Sequence, residues 1–297
     1  MRLFVTIAAA LPFFACTYSA DFNGTRFACD SLTPCPDGVE CIDGYCQAPH
    51  AIDAAGDRPD AAGDRPDAAV TDVRLRWVDQ AVGSVDSAEL ASVESGMIAG
   101  QPGDLYVVFI SVKPARDLTM VSGLGLTWTE AREQCSGRST ARLAMYFALA
   151  PTATAGKVKA SFAPGGALAS AVISVHRYAG ANLESPVGNV SFANSNGAEG
   201  QATCFDGVDS TTYSWSSLDT ARADSIVISG VHTSNYTTHV PGDGFIERSD
   251  DQSGDTSISA GVAVEERRFA DPTSNVTVSG HWDLAPDWAA IAAELRD

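Results

Sequence analysis

Apolar runs of strand length recur from residue 105 to the end of the chain, and clusters of Gly, Pro, Asn, Asp and Ser separate them. Residues 157–162 and 276–279 alternate polar and apolar side chains, which is typical of strands with one buried face. The pattern predicts strands at 105–112, 142–150, 157–162, 167–178, 226–231, 258–266, 276–279 and 288–295. Many short strands at this spacing predict an all-β antiparallel sandwich, and about 220 residues is an acceptable length for one such domain.

The last of these runs, residues 288–295, is compatible with a helix as well as with a strand. We assign it as a strand because it would close a sheet beside the strand at 105–112. Trp128 and Trp288 lie in or next to predicted strands, and we assign both rings to the core.

The N-terminus carries Arg2, then an uncharged apolar run over residues 3–14, then Ala15 and Cys16. The run is too short to span a bilayer, which needs about 20 apolar residues. A positive start, an apolar run and a small residue before a cysteine are the layout of a bacterial secretory signal with a lipobox. We therefore predict a signal peptide over residues 1–15 and acylation of Cys16, which tethers the exported chain by lipid.

Two features bear on this assignment. Phe13 and Phe14 stand where lipoboxes usually carry Leu and a small residue. The alternative is an ordinary cleaved signal ending at Ala20, which would put the bulky Tyr18 where small side chains are favoured. Thr17 follows the cysteine, and by resemblance to the sorting rules of bacterial lipoproteins a residue other than Asp at that place favours the outer membrane. The sequence leaves a periplasmic or an extracellular orientation open.

Six cysteines follow Cys16, and an even number in an exported chain predicts disulfide bonds. Four of them cluster at Cys29, Cys35, Cys41 and Cys46, separated by turn residues. Such a segment buries little core and depends on crosslinks, each contributing about 2–4 kcal/mol. Three pairings are open, and we favour Cys29–Cys41 with Cys35–Cys46 because interleaved bridges compact a short loop. Zinc is the alternative, but there is no Cys-x-x-Cys pair.

The other two cysteines, Cys135 and Cys204, stand alone in the long remainder of the chain. We predict a disulfide between them, which would pin the polar stretch at 189–209 to the sandwich. Closing a loop of ~70 residues restricts the unfolded chain and contributes about 4 kcal/mol. The alternative is two free thiols, which an oxidising compartment disfavours.

Residues 48–72 contain a heptad, AAGDRPD, at 54–60 and again at 61–67. The segment is rich in Ala, Asp, Pro and Gly and lacks aromatic residues, so it cannot bury enough apolar surface to offset the entropy of ordering. We predict a disordered linker. The predicted organisation is a signal peptide at 1–15, a lipid-anchored Cys-rich module at 16–47, the linker at 48–72 and a β-sandwich head at 73–297.

The chain has 37 acidic and 19 basic residues and a formal net charge of −18. This charge argues against nucleic acid as a partner, because binding to phosphates requires a Lys- and Arg-rich surface. It also argues against adsorption to an anionic membrane face, which leaves the N-terminal lipid as the membrane contact. Solubility outside the cell explains the acid excess, and cation binding is the alternative.

The Cys-rich segment has a recognisable pattern. The phrase CPDGVECIDGYC at 35–46 resembles small modules of the form CPxGxxCxxGxC that recur after the lipobox in bacterial surface lipoproteins. Its Asp-Gly pair at 43–44 predicts a very small hairpin. The resemblance implies a spacer or a small binding knob rather than a catalytic unit.

A second resemblance covers most of the head. The phrases at 102–105, 126–129, 145–148, 171–180 and 287–295 occur in the order found in jelly-roll domains of bacterial surface and phage tail proteins. The chain departs from those domains by its Cys pair and its polar stretch at 189–209. The resemblance implies a concanavalin- or galactose-binding-like jelly-roll sandwich, which is often appended to adhesins and carbohydrate-active proteins without an assigned activity.

Catalytic signatures are missing from the sequence: it has no GxSxG elbow, HExxH motif, P-loop or dinucleotide-binding glycine pattern. We predict a head without catalytic residues or cofactors, and a site around His232, His239 and Asp243 is the enzymatic alternative. The carboxylates at 250, 251 and 255 suggest calcium, which prefers oxygen ligands. They do not match EF-hand spacing, so we assign them to a solvated hairpin loop and leave the metal undetermined.

Aromatic residues give the strongest indication of binding. Tyr213 and Trp215 are two residues apart on a Thr- and Ser-rich strand, so their rings share one face, and Tyr236 lies near a turn. Exposed rings stack on sugars or partner surfaces, which makes these three the candidate ligand-binding residues. The alternative for Tyr213 and Trp215 is packing in the core.

These observations predict a non-catalytic cell-envelope lipoprotein whose sandwich binds or adheres, with a carbohydrate or a surface protein as its partner. A polysaccharide-active hydrolase and a structural envelope or appendage component are the alternatives.

Overall fold

The structure of the protein is a computed structural model that describes residues 40–42, 45–47, 74–87, 89–164, 169–234, 237–255 and 258–297. The chain forms two units, residues 1–68 and 69–297. In the first unit, β1 (Glu40–Ile42) pairs antiparallel with β2 (Tyr45–Gln47), with Cys41 opposite Cys46. This strand pair confirms the predicted small hairpin.

The predicted signal peptide, Cys16, Cys29, Cys35 and the linker at 48–72 lie outside the described residues. The lipid attachment and the pairing of the clustered cysteines therefore stay predictions. Within the described ranges, no helix has the length and apolar character needed to cross a membrane.

In the first part of the second unit, the elements found in the described residues are all strands. They are β3 (Arg76–Ser87), β4 (Ser92–Glu94), β5 (Ile98–Gly100), β6 (Leu105–Lys113), β7 (Leu118–Gly123), β8 (Thr129–Cys135), β9 (Arg142–Leu149), β10 (Thr154–Gly156), β11 (Val158–Phe162) and β12 (Ala169–Ala179). They form a large sheet of order β3-β12-β6-β9-β8, a small sheet of order β4-β11-β7, and the pair β10-β5.

The second part continues in the same way. Its elements are β13 (Val187–Asn194), β14 (Gly197–Ala198), a short 3₁₀ helix (Glu199–Gln201), β15 (Thr212–Leu218), β16 (Ser225–Thr233), β17 (His239–Pro241), β18 (Ile246–Ser253), β19 (Ala260–Phe269), β20 (Val276–Trp282) and β21 (Trp288–Leu295). The large sheet has the order β14-β13-β21-β16-β19-β18 and the small sheet the order β15-β20-β17. All strand pairs among the described residues are antiparallel, which confirms the predicted all-β antiparallel fold.

One strand order is used twice. The order β3-β12-β6-β9-β8 corresponds to β13-β21-β16-β19-β18, and β4-β11-β7 corresponds to β15-β20-β17. The outer strand of each large sheet also carries a β-bulge at the matching place, after Glu130 in β8 and after Glu247 in β18. We name residues 76–179 the first sandwich and residues 187–295 the second sandwich.

In the described part of the second unit, the buried side chains form three cores between four layers of sheet. The core inside the first sandwich includes Val108, Ile173 and Phe162. The core between the two large sheets includes Phe109, Val172, Ile228 and Ile291. The core inside the second sandwich includes Trp215, Val278, Trp282 and Trp288. Both faces of each large sheet are therefore covered, which explains why its central strands are apolar at nearly every position.

Residues 288–295 form strand β21, as predicted, but the predicted neighbour is wrong. β21 pairs with β13 and β16 in the second sandwich, whereas β6 pairs with β9 and β12 in the first. The two strands contribute to the same core from facing sheets. A strand buried on both faces has the same apolar pattern whether a second strand lies beside it or above it, so the pattern could not separate the two cases.

Candidate functional site

An open groove of about 370 Å³ lies at one edge of the second sandwich. Its walls come from the segment before β17, from the edge strand β18 and from the segment after β20. The lining residues are Thr237, Thr238, Asp250, Gln252, Asp283 and Leu284. We name it the Asp250 groove. Hydroxyl, amide and carboxyl groups dominate its lining, so it suits a polar ligand.

Side chains of alternate residues on β18 hold the groove in shape. Gln252 accepts a hydrogen bond from the Thr237 backbone N–H at 3.1 Å, and its amide donates to the Thr237 carbonyl. Asp250 accepts from the His239 backbone N–H at 3.1 Å. Thr237 Oγ1 in turn accepts from the Leu284 backbone N–H at 3.3 Å. Because backbone groups on two walls are tied together, the groove is formed before any ligand arrives.

The electrostatics of the groove are acidic. Burial raises the pKa of the Asp250 carboxyl, the hydrogen bond from His239 offsets part of that rise, and the nearby Glu247 carboxylate adds to it. Among the ion pairs of the described residues, none includes Asp250 or Asp283. The groove therefore presents a half-buried carboxyl group that no Lys or Arg of the described chain neutralises.

Behind the groove, four side chains form a hydrogen-bonded chain that runs inward. His239 Nδ1 lies 2.6 Å from Glu247 Oε1, and His239 Nε2 lies 2.8 Å from Tyr213 Oη. Tyr213 Oη lies 3.1 Å from Glu265 Oε1. The Glu247 side chain is 32% exposed, whereas Glu265 is fully buried. The chain therefore connects the surface beside the groove to the core of the second sandwich.

Glu265 is the inner end of this chain and an ionisable group in an apolar setting. Burial raises its pKa to about 8, only partly offset by the hydrogen bond with Tyr213. The carboxyl is therefore mostly protonated at neutral pH. This protonation state avoids two carboxylate charges on neighbouring strands, because Glu265 is paired across the sheet with Glu247.

Glu265→Gln is expected to remove a pH dependence of stability. The carboxyl titrates near 4.5 when unfolded and near about 8 when folded, so the folded chain holds the extra proton between these values. The free energy of unfolding is then highest below pH 4.5 and falls by about 1.4 kcal/mol per pH unit as the pH rises towards 8. Chemical denaturation at pH 5.5 and at pH 7 measures this effect. Between these two pH values, the free energy of unfolding of the wild type should fall by about 2 kcal/mol more than that of E265Q.

The comparison with E265Q is needed because buried histidines act in the opposite direction. Burial lowers the pKa of His176 to about 3 and that of His232 to about 4, so their contribution is present above pH 6.5 and is lost as the pH falls. The exposed variant Glu184→Gln is the matched control for the charge change and should follow the wild type. Parallel pH profiles for wild type and E265Q would contradict the assignment.

The predicted enzymatic alternative at His232, His239 and Asp243 does not form. His232 lies in the core between the large sheets and bonds Ser111 Oγ through Nδ1 at 2.7 Å. His239 lies on the other side of the same large sheet, beside Tyr213. His232 belongs to β16 of the large sheet and His239 to β17 of the small sheet, so the large sheet separates the two rings and they cannot converge on one substrate.

The candidate ligand-binding rings are placed in the core. Tyr213 and Trp215 share one face of β15, as predicted, but only 3% and 5% of their surfaces are exposed. The Tyr213 ring packs against Trp282 and Trp288, with ring centres 4.9 and 5.7 Å away. This burial favours packing over ring stacking on a ligand. Tyr236 lies outside the described residues.

The Cys135–Cys204 disulfide is confirmed, with an S–S distance of 2.01 Å. It joins the end of β8 in the first sandwich to the segment after the 3₁₀ helix in the second. Asn194 supports the same junction, because its amide donates to the carbonyls of Cys135 at 3.1 Å and Thr203 at 2.8 Å. The bridge thus links the two sandwiches as well as pinning the polar stretch at 189–209.

The carboxylates considered for calcium are arranged differently from the prediction. Asp250 and Asp251 lie within strand β18, so the loop assignment is wrong for these two, whereas Asp255 lies in the connection between β18 and β19. Asp250 and Asp251 point to opposite faces of the strand and cannot converge on one ion. In the described part of the chain, no group of three or more His, Cys, Asp or Glu side chains is arranged to hold a metal ion.

Sequence reasoning missed most of the groove. Thr237, Gln252 and Asp283 carry no motif, and they come from three separate stretches of chain. For Glu265 the sequence did offer one indication. This carboxylate follows the alternating apolar residues of β19, and the strand period places its side chain on a face that points into the protein.

Comparison with known proteins does not assign this chain to a family. No protein-family model matches this chain, and no curated protein matches it significantly. The function must therefore be inferred from the chain's own residues.

Proposed function

We propose that this protein is an exported cell-envelope lipoprotein whose head binds a surface partner without catalysing a reaction. The Asp250 groove is the observation that carries the binding role. It is open and polar, its walls are tied together, and no Lys or Arg of the described chain pairs with its carboxyl groups. A preformed concave site with a half-buried carboxyl group is an arrangement that a ligand with donor groups completes.

The N-terminal segment supports display at a membrane. Cys16 after the apolar run is the attachment point for lipid, and Thr17 favours the outer membrane. The predicted linker at 48–72, which contains the repeated heptad, would separate the head from the lipid, since a flexible chain of about 25 residues spans roughly 25–30 Å. The Cys135–Cys204 disulfide supports export, because such bonds persist in oxidising compartments.

We infer that each sandwich is a variant of the jelly roll. In that fold the first, eighth, third and sixth strands form one sheet, and the second, seventh, fourth and fifth strands form the other. With β5 and β10 left out, the first sandwich follows both orders except at its fifth strand, β8, which pairs with β9 in the large sheet. This topology supports the resemblance to jelly-roll domains of bacterial surface proteins.

A protein partner is favoured over a glycan. The argument for carbohydrate depended on exposed rings, and Tyr213 and Trp215 are buried. The groove instead offers hydroxyl and carboxyl groups beside the exposed Leu284, a mixture typical of contacts with a protein side chain.

The test is a binding assay with the full-length chain against envelope material of the native host and against a glycan array. We expect saturable binding to envelope protein that Asp250→Asn weakens and Asp251→Asn leaves unchanged. Asp251 is the matched control because it follows Asp250 on β18 and points to the opposite face. A chain that binds neither target and assembles only with itself is a structural component, and the proposal is then wrong.

A polysaccharide hydrolase is the second candidate function. Asp250 and Asp283 line the same groove, and the raised pKa of Asp250 suits a general acid. This candidate predicts release of reducing ends from a polysaccharide, abolished by Asp250→Asn. No release by the wild-type chain across acidic and neutral polysaccharides would remove it.

A further inference from the structure

The repeated strand order provides a second version of the Asp250 groove inside the same molecule. β8 corresponds to β18 and β9 to β19, and the shared bulge sets their register. Glu130 in β8 and Glu247 in β18 each directly precede the bulge and are therefore equivalent. Glu133 and Asp250 each lie three residues further along the strand, so they are equivalent as well.

The same register identifies a position at which the two sandwiches differ in charge and size. Cys135 pairs with Arg142 in the first sandwich, and at the equivalent place Gln252 pairs with Gly261 in the second. Arg142 and Gly261 are therefore equivalent. Where the first sandwich has a long cationic side chain, the second has no side chain at all.

In the first sandwich, the Arg142 side chain lies at the place that corresponds to the groove by this register. Its guanidinium contacts Asp117 Oδ1 at 3.0 Å and the Glu133 carboxylate. Asp117 is equivalent to Thr238, since β7 and β17 each begin at the next residue. The location that holds a guanidinium between two walls in the first sandwich is thus an open groove with an unneutralised carboxyl in the second.

We propose that the Asp250 groove binds a guanidinium group, carried by an arginine side chain of a partner protein or by a free guanidino compound. The inference rests on the proposed binding function and names its ligand chemistry. The first sandwich supplies the template: a guanidinium seated between the segment before β7 and the outer strand β8.

The groove's chemistry fits this ligand. A guanidinium offers five donors in one plane, and the groove places carboxyl and hydroxyl acceptors of Thr238, Asp250 and Asp283 around one space. It is more weakly hydrated than an ammonium, so it enters a half-buried site more readily than lysine does. Leu284, 54% exposed, gives the apolar stem of an arginine a surface to pack on.

The first experiment titrates the full-length chain with methylguanidine, with its neutral isostere methylurea and with methylammonium, following backbone amide NMR shifts. We expect methylguanidine to bind at least tenfold more tightly than methylurea and to shift the amides of β18 around Asp250. Asp250→Asn should weaken that binding at least tenfold, whereas Asp251→Asn should leave it within twofold. Methylguanidine binding no tighter than methylurea or methylammonium would overturn the proposal.

The second experiment creates the site in the other sandwich, which keeps the proposal testable if Asp250→Asn fails to fold. Arg142→Gly reproduces the residue found at position 261 and removes the internal guanidinium from Asp117 and Glu133. The number of methylguanidine sites should rise from one to two, and new shifts should appear on β8. A stoichiometry unchanged at one, with shifts confined to β18, would show that the two locations do not share this chemistry and would contradict the template.

Further comparisons distinguish the source of the guanidinium group and show which of the two proposals is wrong. An acetylated, amidated Gly-Arg-Gly peptide is compared with its citrulline counterpart: selective binding of the arginine peptide indicates a protein partner, and binding of free methylguanidine alone indicates a small guanidino compound. If the chain binds envelope material through Asp250 but ignores every guanidinium probe, the ligand class is wrong and the binding function stands. If neither occurs, both fail.

Discussion

Removing the Cys135–Cys204 disulfide is expected to lower the free energy of unfolding by about 4 kcal/mol. The bond closes a segment with a sequence separation of 69, and a crosslink of that span removes many conformations from the unfolded chain. The native junction keeps other support, because Gln134 donates to the Ala202 carbonyl at 3.0 Å and Asn194 bridges Cys135 and Thr203. The variant should therefore still fold, but with a lower free energy of unfolding.

Urea denaturation of Cys135→Ala/Cys204→Ala against the oxidised wild type measures this loss. Reduction of the wild type should produce a similar decrease, and the double variant should not respond to reductant. A difference below about 1 kcal/mol would contradict the expected role of the bridge, since changes of that size are common for surface substitutions.

Phe109→Ala is expected to cost about 3–5 kcal/mol, because it empties space in the core between the two large sheets. Phe109 is fully buried, and its ring lies directly against Gly230 of β16. A Cβ added at Gly230 would lie 2.1 Å from that ring, so Gly230→Ala should also destabilise, by about 1–3 kcal/mol or more. The contact joins the first sandwich to the second.

The double variant Phe109→Ala/Gly230→Ala gives the decisive comparison. The methyl group at position 230 occupies space that the ring has left, so the combined cost should be clearly smaller than the sum of the two single costs. Phe205→Ala is the control, because that ring is 65% exposed and its loss should change stability by less than about 0.5 kcal/mol. Additive costs would mean that the two sandwiches do not pack this way in solution.

The strands that the sequence predicted are those whose burial leaves a clear pattern: apolar runs in strands buried on both faces, and alternation in β11 and β20, which have one buried face. β6, β12, β16 and β21 lie inside the large sheets, and each is an apolar run that turn residues delimit. β3 and β18 are edge strands whose polar positions face solvent or a polar contact, so they have no apolar run, and they were not predicted. The predicted pairing of β21 with β6 was wrong for a related reason. A strand buried on both faces shows the same apolar pattern whether the other strand lies beside it in one sheet or opposite it in a facing sheet.

The repeat and the groove could not be predicted for different reasons. At equivalent positions the two sandwiches carry residues of different chemistry: Arg142 corresponds to Gly261, and Asp117 corresponds to Thr238. The repeat is therefore visible in the strand order but not at these positions of the sequence. The groove joins three stretches of chain that only the fold brings together. Tyr213 and Trp215 could be placed on one face from the strand period, but the period does not say whether a second sheet covers that face.

The central claim is that the chain is exported, acylated at Cys16 and oxidised. Intact-mass spectrometry of the protein from native-host membranes, with thiol alkylation before and after reduction, tests it most directly. The account predicts a mature chain that begins at Cys16 with added acyl mass and whose Cys135 and Cys204 are alkylated only after reduction. An unprocessed N-terminus, or a chain whose cysteines are alkylated without reduction, would contradict it.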